Sequence, residues 1–223
     1  MFKLHGFPVS NYTNMVEFAL LEKGIPYEYV LTMPSQSPEF LAVSPRGKVP
    51  VLVTPAGPVN ETDAILEYLE DFGQGRPLLP KDPYARAHVR TLMREIELYI
   101  DWPARSCFAE AFFGGKVADA IKAKAKDDLV AGFATLKRHG RFSPYVAGGE
   151  FTLADIVFLY CVDLGARVGQ VMFGLDLLAD FDGARALFAR LNENPHVQAI
   201  GKRREAGMAQ FIAAAQARAK AQG

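Results

Sequence analysis

The sequence predicts two domains: an α/β domain over residues 1–75, then an all-α domain over residues 84–223. Three observations carry this. Strand and helix patterns alternate as β-α-β-α-β-β-α through the first ~75 residues, the alternation expected of a sheet with crossover helices. The stretch Gly73-Gln74-Gly75-Arg76-Pro77-Leu78-Leu79-Pro80 then breaks the pattern. Beyond it strand signals vanish and long amphipathic runs with few breakers take over. The chain has 223 residues, half of them hydrophobic, enough to build real cores.

Phe2–His5 is apolar at alternate positions and reads as a first strand, followed by the loop Gly6-Phe7-Pro8. Ser10-Asn11-Tyr12-Thr13-Asn14 is dense in capping residues, and Met15, Val16, Phe18, Ala19 and Leu20 behind it fit one helical face. Gly24 and Pro26 stop that helix, and Tyr27–Leu31 is a second strand. Strand, helix and strand at this length make a parallel βαβ unit. Residues 38–43 form a short helix before the Ser44-Pro45 turn. A short strand Val51–Val53, a turn Thr54–Pro58 and an amphipathic helix Ala64–Asp71 complete the domain.

In the second domain residues 83–113 read as one long helix, bent at Pro103 because an interior proline removes a ladder hydrogen bond. Gly114-Gly115 ends it, and a helix over 117–139 is ended by Gly140. Thr152 with Asp155 three residues on has the form of a capping box, opening a helix toward Val168. Helices over 183–192 and 195–201 follow, with a last one from Glu205 into an Ala-rich tail.

Chemistry enters at Ser44-Pro45-Arg46-Gly47-Lys48-Val49-Pro50-Val51-Leu52. Pro50 cannot donate to a sheet ladder, so it belongs at a strand's first residue. With a cis Val49–Pro50 bond the chain turns sharply and Val49 presents its N–H and C=O outward, a docking edge for an extended peptide-like ligand. Glu61-Thr62 then lead into a helix. Free N–H groups at a helix start suit a carboxylate, and an acid beside them suits an ammonium. One small site therefore reads both ends of an amino-acid zwitterion.

Composition removes several function classes. With 25 basic and 25 acidic residues the formal charge is zero, so no electrostatic footprint for nucleic acid or an anionic membrane is present. Cys107 and Cys161 are far apart, form no metal spacing and no disulfide framework, and read as buried free thiols. Met1-Phe2-Lys3-Leu4-His5 has no apolar signal region behind it, and no apolar run approaches a membrane span. A soluble, cytoplasmic protein is expected.

The pair Lys48-Val49-Pro50-Val51-Leu52 and Glu61-Thr62-Asp63-Ala64-Ile65-Leu66-Glu67-Tyr68-Leu69, at this spacing, resembles the signature of the cytosolic glutathione transferases. Thr62 stands where the family usually has Ser, which keeps the hydroxyl. The resemblance extends to the capping motif at Thr152–Asp155 in the helical domain. It implies an α/β thioredoxin-like N-terminal domain plus an all-α C-terminal domain, glutathione as co-substrate with no permanently bound cofactor or metal, and a homodimer.

A thioredoxin-like domain first suggests thiol–disulfide exchange, which needs a low-pKa cysteine at the first helix's N-terminus. That slot holds Ser10-Asn11-Tyr12-Thr13 and the first domain has no cysteine, so any thiol must come from the ligand. A free thiol has a pKa of about 8.5, and lowering it by two units takes roughly 2.7 kcal/mol. A hydroxyl hydrogen bond and a helix N-terminus supply that order of magnitude. Ser10 lies as far ahead of Gly24-Ile25-Pro26 as the catalytic serine does in theta- and zeta-like members. Phe7 occupies the place of the tyrosine variants' phenol and cannot donate. Tyr12 corresponds to the beta-like cysteine and is the alternative donor, with Asn11 assisting.

By the same resemblance Val49 pairs with glutathione's cysteinyl backbone, shaped by Pro50. Glu61 and Thr62 hold the γ-glutamyl end, and Lys48 reaches the glycyl carboxylate. For an apolar electrophile the candidates are Phe7 and Val9 from the first loop, with Trp102, Arg105, Phe108 and Phe112 from the long helix. Arg105 would orient an anionic substrate. Met208 and Phe211 would close the site from the C-terminal end. The expected activity is addition of glutathione thiolate to a small electrophile. The rivals are glutathione-dependent disulfide or peroxide reduction on the same site, and a transferase-like binding module without turnover.

Overall fold

The structure, a computed structural model, describes the backbone of residues 1–221 and the side chains of all but 209, 210 and those beyond 211. The last two residues of the Ala-rich tail, 222–223, lie outside the described residues. The chain divides into two compact units, Met1–Pro77 together with the segment from Asn192 onward, and Leu78–Leu191.

The first unit begins with β1 (Phe2–Gly6), α1 (Asn11–Glu22), β2 (Tyr27–Leu31) and α2 (Pro38–Leu41). It continues with β3 (Val51–Thr54), β4 (Gly57–Asn60) and α3 (Thr62–Asp71). The sheet order is β2-β1-β3-β4, with β1 and β2 parallel and β3 antiparallel to both β1 and β4. Phe2 and Leu4 of β1 are buried while Lys3 between them is exposed, the period-2 signature of a strand with one covered face. Val51 and Leu52 are fully buried on opposite faces, so β3 is covered on both sides. Met15, Val16, Phe18 and Leu20 of α1 and Ile65, Leu66 and Leu69 of α3 complete this core. Each such side chain removed from water contributes about 1.5–3 kcal/mol. The expected turn at Thr54–Pro58 is tighter than expected, because Gly57 and Pro58 already pair with Thr54 and Val53.

The linker is tied down at its start. Lys23 Nζ, itself buried, sits 2.7 Å from Glu70 Oε1 and 3.0 Å from the Arg76 carbonyl oxygen. α10 (Pro195–Ala221) also belongs to the first unit. It is one helix, where the sequence suggested two separated near Gly201. A glycine costs only about 1 kcal/mol inside a helix, and the Lys202-Arg203-Arg204 run that follows favours continuation. The contacts of α10 with α1 group it with the sheet unit and not with the helical one to which the expected boundaries assign it.

The second unit contains α4 (Pro83–Ile96), a π-helical turn (Glu97–Asp101), α5 (Trp102–Ser106) and α6 (Phe108–Phe113). α7 (Asp119–His139), α8 (Leu153–Phe173) and most of α9 (Asp182–Asn192) complete it. The single bent helix expected over 83–113 is thus interrupted twice. A wider π turn lies directly before Pro103, where the proline deprives the ladder of a donor. The chain then leaves helical geometry at Cys107 before α6 ends on the left-handed Gly114. Gly132 of α7 and Gly165 of α8 face the π turn: a Cβ on the first would collide with the Tyr99 carbonyl oxygen, and one on the second with the Ile100 side chain.

α8 corrects the reading that no apolar run approaches a membrane span. By length and apolar composition alone it would qualify, with mean hydropathy 1.5. Leu153–Leu164 is buried apart from Asp163, which identifies α8 as the core helix of this unit. Its start is the capping box foreseen at Thr152 and Asp155. Asp155 also accepts from the Val146 amide at 2.8 Å, fastening the preceding loop. Cys107 and Cys161 are free and buried.

Candidate active site

The sheet register gathers the three segments singled out above. His5 of β1 pairs with Val51 of β3, and Val51 pairs with Asn60 of β4. This row lies at the end of the sheet where β1 runs out toward Ser10, β3 enters from Val49–Pro50, and β4 runs out into Glu61–Thr62. Strands stand 4.7–4.9 Å apart, so the row is about 10 Å wide. An extended tripeptide at about 3.3 Å per residue has the same length.

Ser10 is the N-cap of the 12-residue α1, and its Oγ accepts the Thr13 amide at 3.2 Å. An oxygen lone pair is used in that bond, which leaves the hydroxyl proton to be donated elsewhere. The helix start adds a positive potential equivalent to roughly half a charge. Ser10 therefore caps the helix and keeps a proton to donate, at a helix start whose field favours an anion. Asn11 and Tyr12 occupy the first turn and are half-buried. Asn14, fully buried, donates from Nδ2 to the Pro8 carbonyl oxygen at 3.0 Å and holds the loop ahead of Ser10. Burial lowers the pKa of His5 below its ordinary value, with Lys3 adding to the effect, so its imidazole brings no charge to the row near neutral pH.

Val49–Pro50 is cis. The N–H and C=O of Val49 have no hydrogen-bond partner among the described residues. The turn before it is set by Ser44, a residue whose role the sequence reading missed. Its buried Oγ accepts the Lys48 amide at 3.0 Å and donates to the Lys48 carbonyl oxygen at 2.8 Å. Gly47 sits at φ +63, against the Ser35 carbonyl, where a side chain has no room. The Ser-Pro-Arg-Gly order was the available signal. Asn60 Nδ2 donates to the Val43 carbonyl oxygen at 2.9 Å and links the end of β4 to the same turn. Lys48 is exposed and Val49 half-buried.

Glu61 has φ +66 and ψ 127, a conformation that costs of order 1–3 kcal/mol for a residue with a Cβ. No periodicity announces it. It is the N-cap of α3 yet its side chain makes no capping bond, so it leaves the first amides of the helix uncapped. Thr62 follows as the first helical residue and is buried.

Of the other candidates, Phe7 and Val9 are half-buried in the β1–α1 loop, and the Phe7 ring stacks on Phe211 with centroids 5.9 Å apart. Met208 is half-buried on α10. In the helical unit Trp102 is 62% exposed and lines a groove of about 370 Å³ with Leu98, Pro103, Ile121 and Lys124. Phe108 and Phe112 meet edge to face at 5.3 Å. Arg105 is held by the fully buried Asp101, through Nε to Oδ2 at 2.5 Å and Nη2 to Oδ1 at 3.3 Å. Its charge is already matched within its own unit, which weakens the expectation that it orients an anionic substrate. Among the described residues no group of three or more His, Cys, Asp or Glu side chains is arranged to hold a metal ion.

Residues 4–77 match the family model described as glutathione S-transferase, N-terminal domain, and residues 119–190 the corresponding C-terminal domain. A glutathione S-transferase from Pseudomonas putida is 56% identical over 212 residues, 95% of this chain and 96% of that protein. The crystal structure of maleylacetoacetate isomerase from Methylobacterium extorquens AM1, with malonate and glutathione bound, superposes with a TM-score of 0.70 at 27% identity, covering 89% of this chain and 95% of the other. A glutathione S-transferase from Methylobacterium radiotolerans in complex with glutathione sulfonate gives 0.72 at 27% identity, over 87% of this chain and 92% of that one. The chain therefore belongs to the glutathione S-transferase family and is a glutathione transferase.

Proposed function

We propose that the protein binds glutathione across the end of its sheet, holds the thiol as thiolate with Ser10, and adds it to a small apolar electrophile. The observation that carries this is the row His5–Val51–Asn60, which sets the Ser10 loop, Val49 and the start of α3 side by side over the length of a tripeptide. The central cysteinyl residue pairs with the N–H and C=O of Val49. The γ-glutamyl carboxylate takes the uncapped start of α3 with the Thr62 hydroxyl, and its ammonium faces Glu61. The glycyl carboxylate lies within reach of Lys48.

With the tripeptide so fixed, the thiol meets the N-terminus of α1. The Ser10 hydroxyl donates to sulfur and stabilises the anion before any electrophile arrives, with Asn11 and Tyr12 beside it on the first turn. Phe7 and Val9 offer the electrophile an apolar surface next to that sulfur. The thiolate then attacks the electrophilic carbon: a C–S bond forms, and the displaced electron pair leaves with a leaving group or takes a proton from water. Positioning and thiolate stabilisation are the enzyme's whole contribution, with no covalent enzyme intermediate. A homodimer working in the cytoplasm fits this reading.

Product analysis tests it. Glutathione is incubated with the enzyme and either an aryl halide or a low-molecular-weight disulfide, and the products are resolved by mass spectrometry. Enzyme-dependent thioether from the aryl halide is expected. Glutathione disulfide as the only enzyme-dependent product would replace transfer by reduction, and no turnover with saturable binding would leave a binding module.

A further inference from the structure

α10 comes back onto α1 and the loop that carries Ser10. Arg203 pairs with Glu17 of α1, whose side chain is 2% exposed. The same carboxylate accepts the Tyr27 hydroxyl at 2.6 Å, and the Arg203 guanidinium lies 4.4 Å over the Tyr29 ring. Burial pushes the Tyr27 hydroxyl up to about 12, so it remains a donor to Glu17 at any working pH. Nearer the start of the helix, Asn194 Nδ2 donates to Glu22 Oε1 at 2.6 Å.

Beyond this anchor the helix meets the loop at regular intervals. Residues 203, 207 and 211 follow one another at i, i+4 spacing and share a face. At Gly207 the helix comes so close to Pro8 that an added Cβ would stand 2.8 Å from the proline Cβ. At Phe211 the ring stacks on Phe7, its plane within 13°. From the other side Asn14 of α1 holds the Pro8 carbonyl. Phe7 and Pro8 are thus gripped between two helices, and Ser10 follows two residues later, its amide bonded to the Phe7 carbonyl oxygen at 3.0 Å.

We propose that α10 is a positioning element for the thiolate site: the Glu17–Arg203 pair fixes the helix, and Gly207 and Phe211 set the Phe7–Pro8 loop so that the Ser10 hydroxyl stands where it can reach a ligand sulfur. This rests on the reading of Ser10 as the thiolate donor. Arg203, Gly207 and Phe211 touch no reacting atom. They act through the loop, and their predicted signature is a change in the bound thiol's ionisation out of proportion to any change in glutathione affinity. The parts that hold the tripeptide backbone, Val49 and the start of α3, lie away from this stripe in sequence and on other elements.

The test uses the full chain and three variants, Gly207→Val, Phe211→Ala and Ser10→Ala. The first two lie away from the Glu17–Arg203 pair and leave Glu17 partnered. Thiolate absorbance of bound glutathione is followed from pH 5 to 9, together with glutathione affinity and amide hydrogen exchange of the unliganded protein. Gly207→Val and Phe211→Ala are expected to raise the bound-thiol pKa by about one unit, a tenfold loss of thiolate at low pH. Glutathione Kd should stay within about threefold, and the Ser10 and Thr13 amides should exchange faster while those of β3 do not. Unchanged exchange at those amides would overturn the clamp. Faster exchange with an unmoved thiol pKa, where Ser10→Ala does move it, would overturn positioning and leave α10 merely structural. If Ser10→Ala itself moves nothing, the donor assignment falls, and the exchange measurement still decides whether α10 holds the loop.

Discussion

Asp155 is the most exacting test of the helical unit. Its carboxylate accepts the Val146 amide at 2.8 Å and the Thr152 amide at 2.7 Å, with the Thr152 hydroxyl at 3.1 Å. Val146, Thr152 and Asp155 are all buried. Asp155→Ala leaves two buried amides without an acceptor, at about 1–3 kcal/mol each, or roughly 2–6 kcal/mol in all. Against a usual stability of about 5–15 kcal/mol this is a large fraction. Urea unfolding followed by circular dichroism reads it as a lower midpoint at constant slope. A loss under about 1 kcal/mol would refute the reasoning, since it would mean that the amides find other partners. The pH dependence gives a second, independent sign. Burial raises the Asp155 pKa from its ordinary 3.8 to about 6, the amide hydrogen bonds only partly opposing it. The folded state thus holds the proton more tightly than the unfolded chain. That contribution is complete below the ordinary value and is lost as pH rises through about 6. Relative to Asp155→Asn, which does not titrate, wild type should lose roughly 2 kcal/mol between pH 4 and pH 7. A flat or rising difference contradicts the burial argument.

Other perturbations follow from the same packing. Gly132→Ala drives a methyl into the Tyr99 carbonyl and should cost about 1–3 kcal/mol in thermal or urea unfolding, as overpacking does elsewhere. Lys23→Met removes the buried cation beside Glu70, whose side chain is 5% exposed, and should cost about 3–5 kcal/mol, mostly recovered in Lys23→Met with Glu70→Leu. Glu61→Gly removes a strained positive φ and should raise stability by about 1 kcal/mol or more while weakening glutathione binding, measured by calorimetry. A variant that gains neither stability nor a higher Kd would break the link between that strain and the ligand.

Much of the first unit was legible because its signals are local. Strand β2 spans the residues expected for it, and Pro50, expected as the first residue of β3, lies one position ahead of it, because a proline has no N–H to give a central strand's ladder. Ser10 was readable as a cap from residue type and its place ahead of an apolar face. The positive φ of Glu61 was not, since nothing in side-chain periodicity encodes a backbone held against its preference. Pro103 announced a bend but neither the π turn nor the break at Cys107, and the π turn faces Gly132 and Gly165 in helices remote along the chain. The Arg203–Glu17 pair joins residues 186 positions apart, and no window of sequence contains both. Nor does helical spacing say which aromatic of the 102–112 stretch faces solvent: Trp102 turned out exposed while Phe108 and Phe112 pack on each other.

The central claim is that Ser10 holds the glutathione thiol as thiolate. The direct measurement is the ultraviolet difference absorbance of the thiolate as glutathione is titrated into wild type and Ser10→Ala across pH 5 to 9. A bound-thiol pKa well below the free value of about 8.5, returning toward it in Ser10→Ala with binding retained, is the expected result. A depressed pKa that survives in Ser10→Ala would contradict the claim and transfer the role to Tyr12, and saturable binding with an unshifted thiol would contradict thiolate stabilisation altogether.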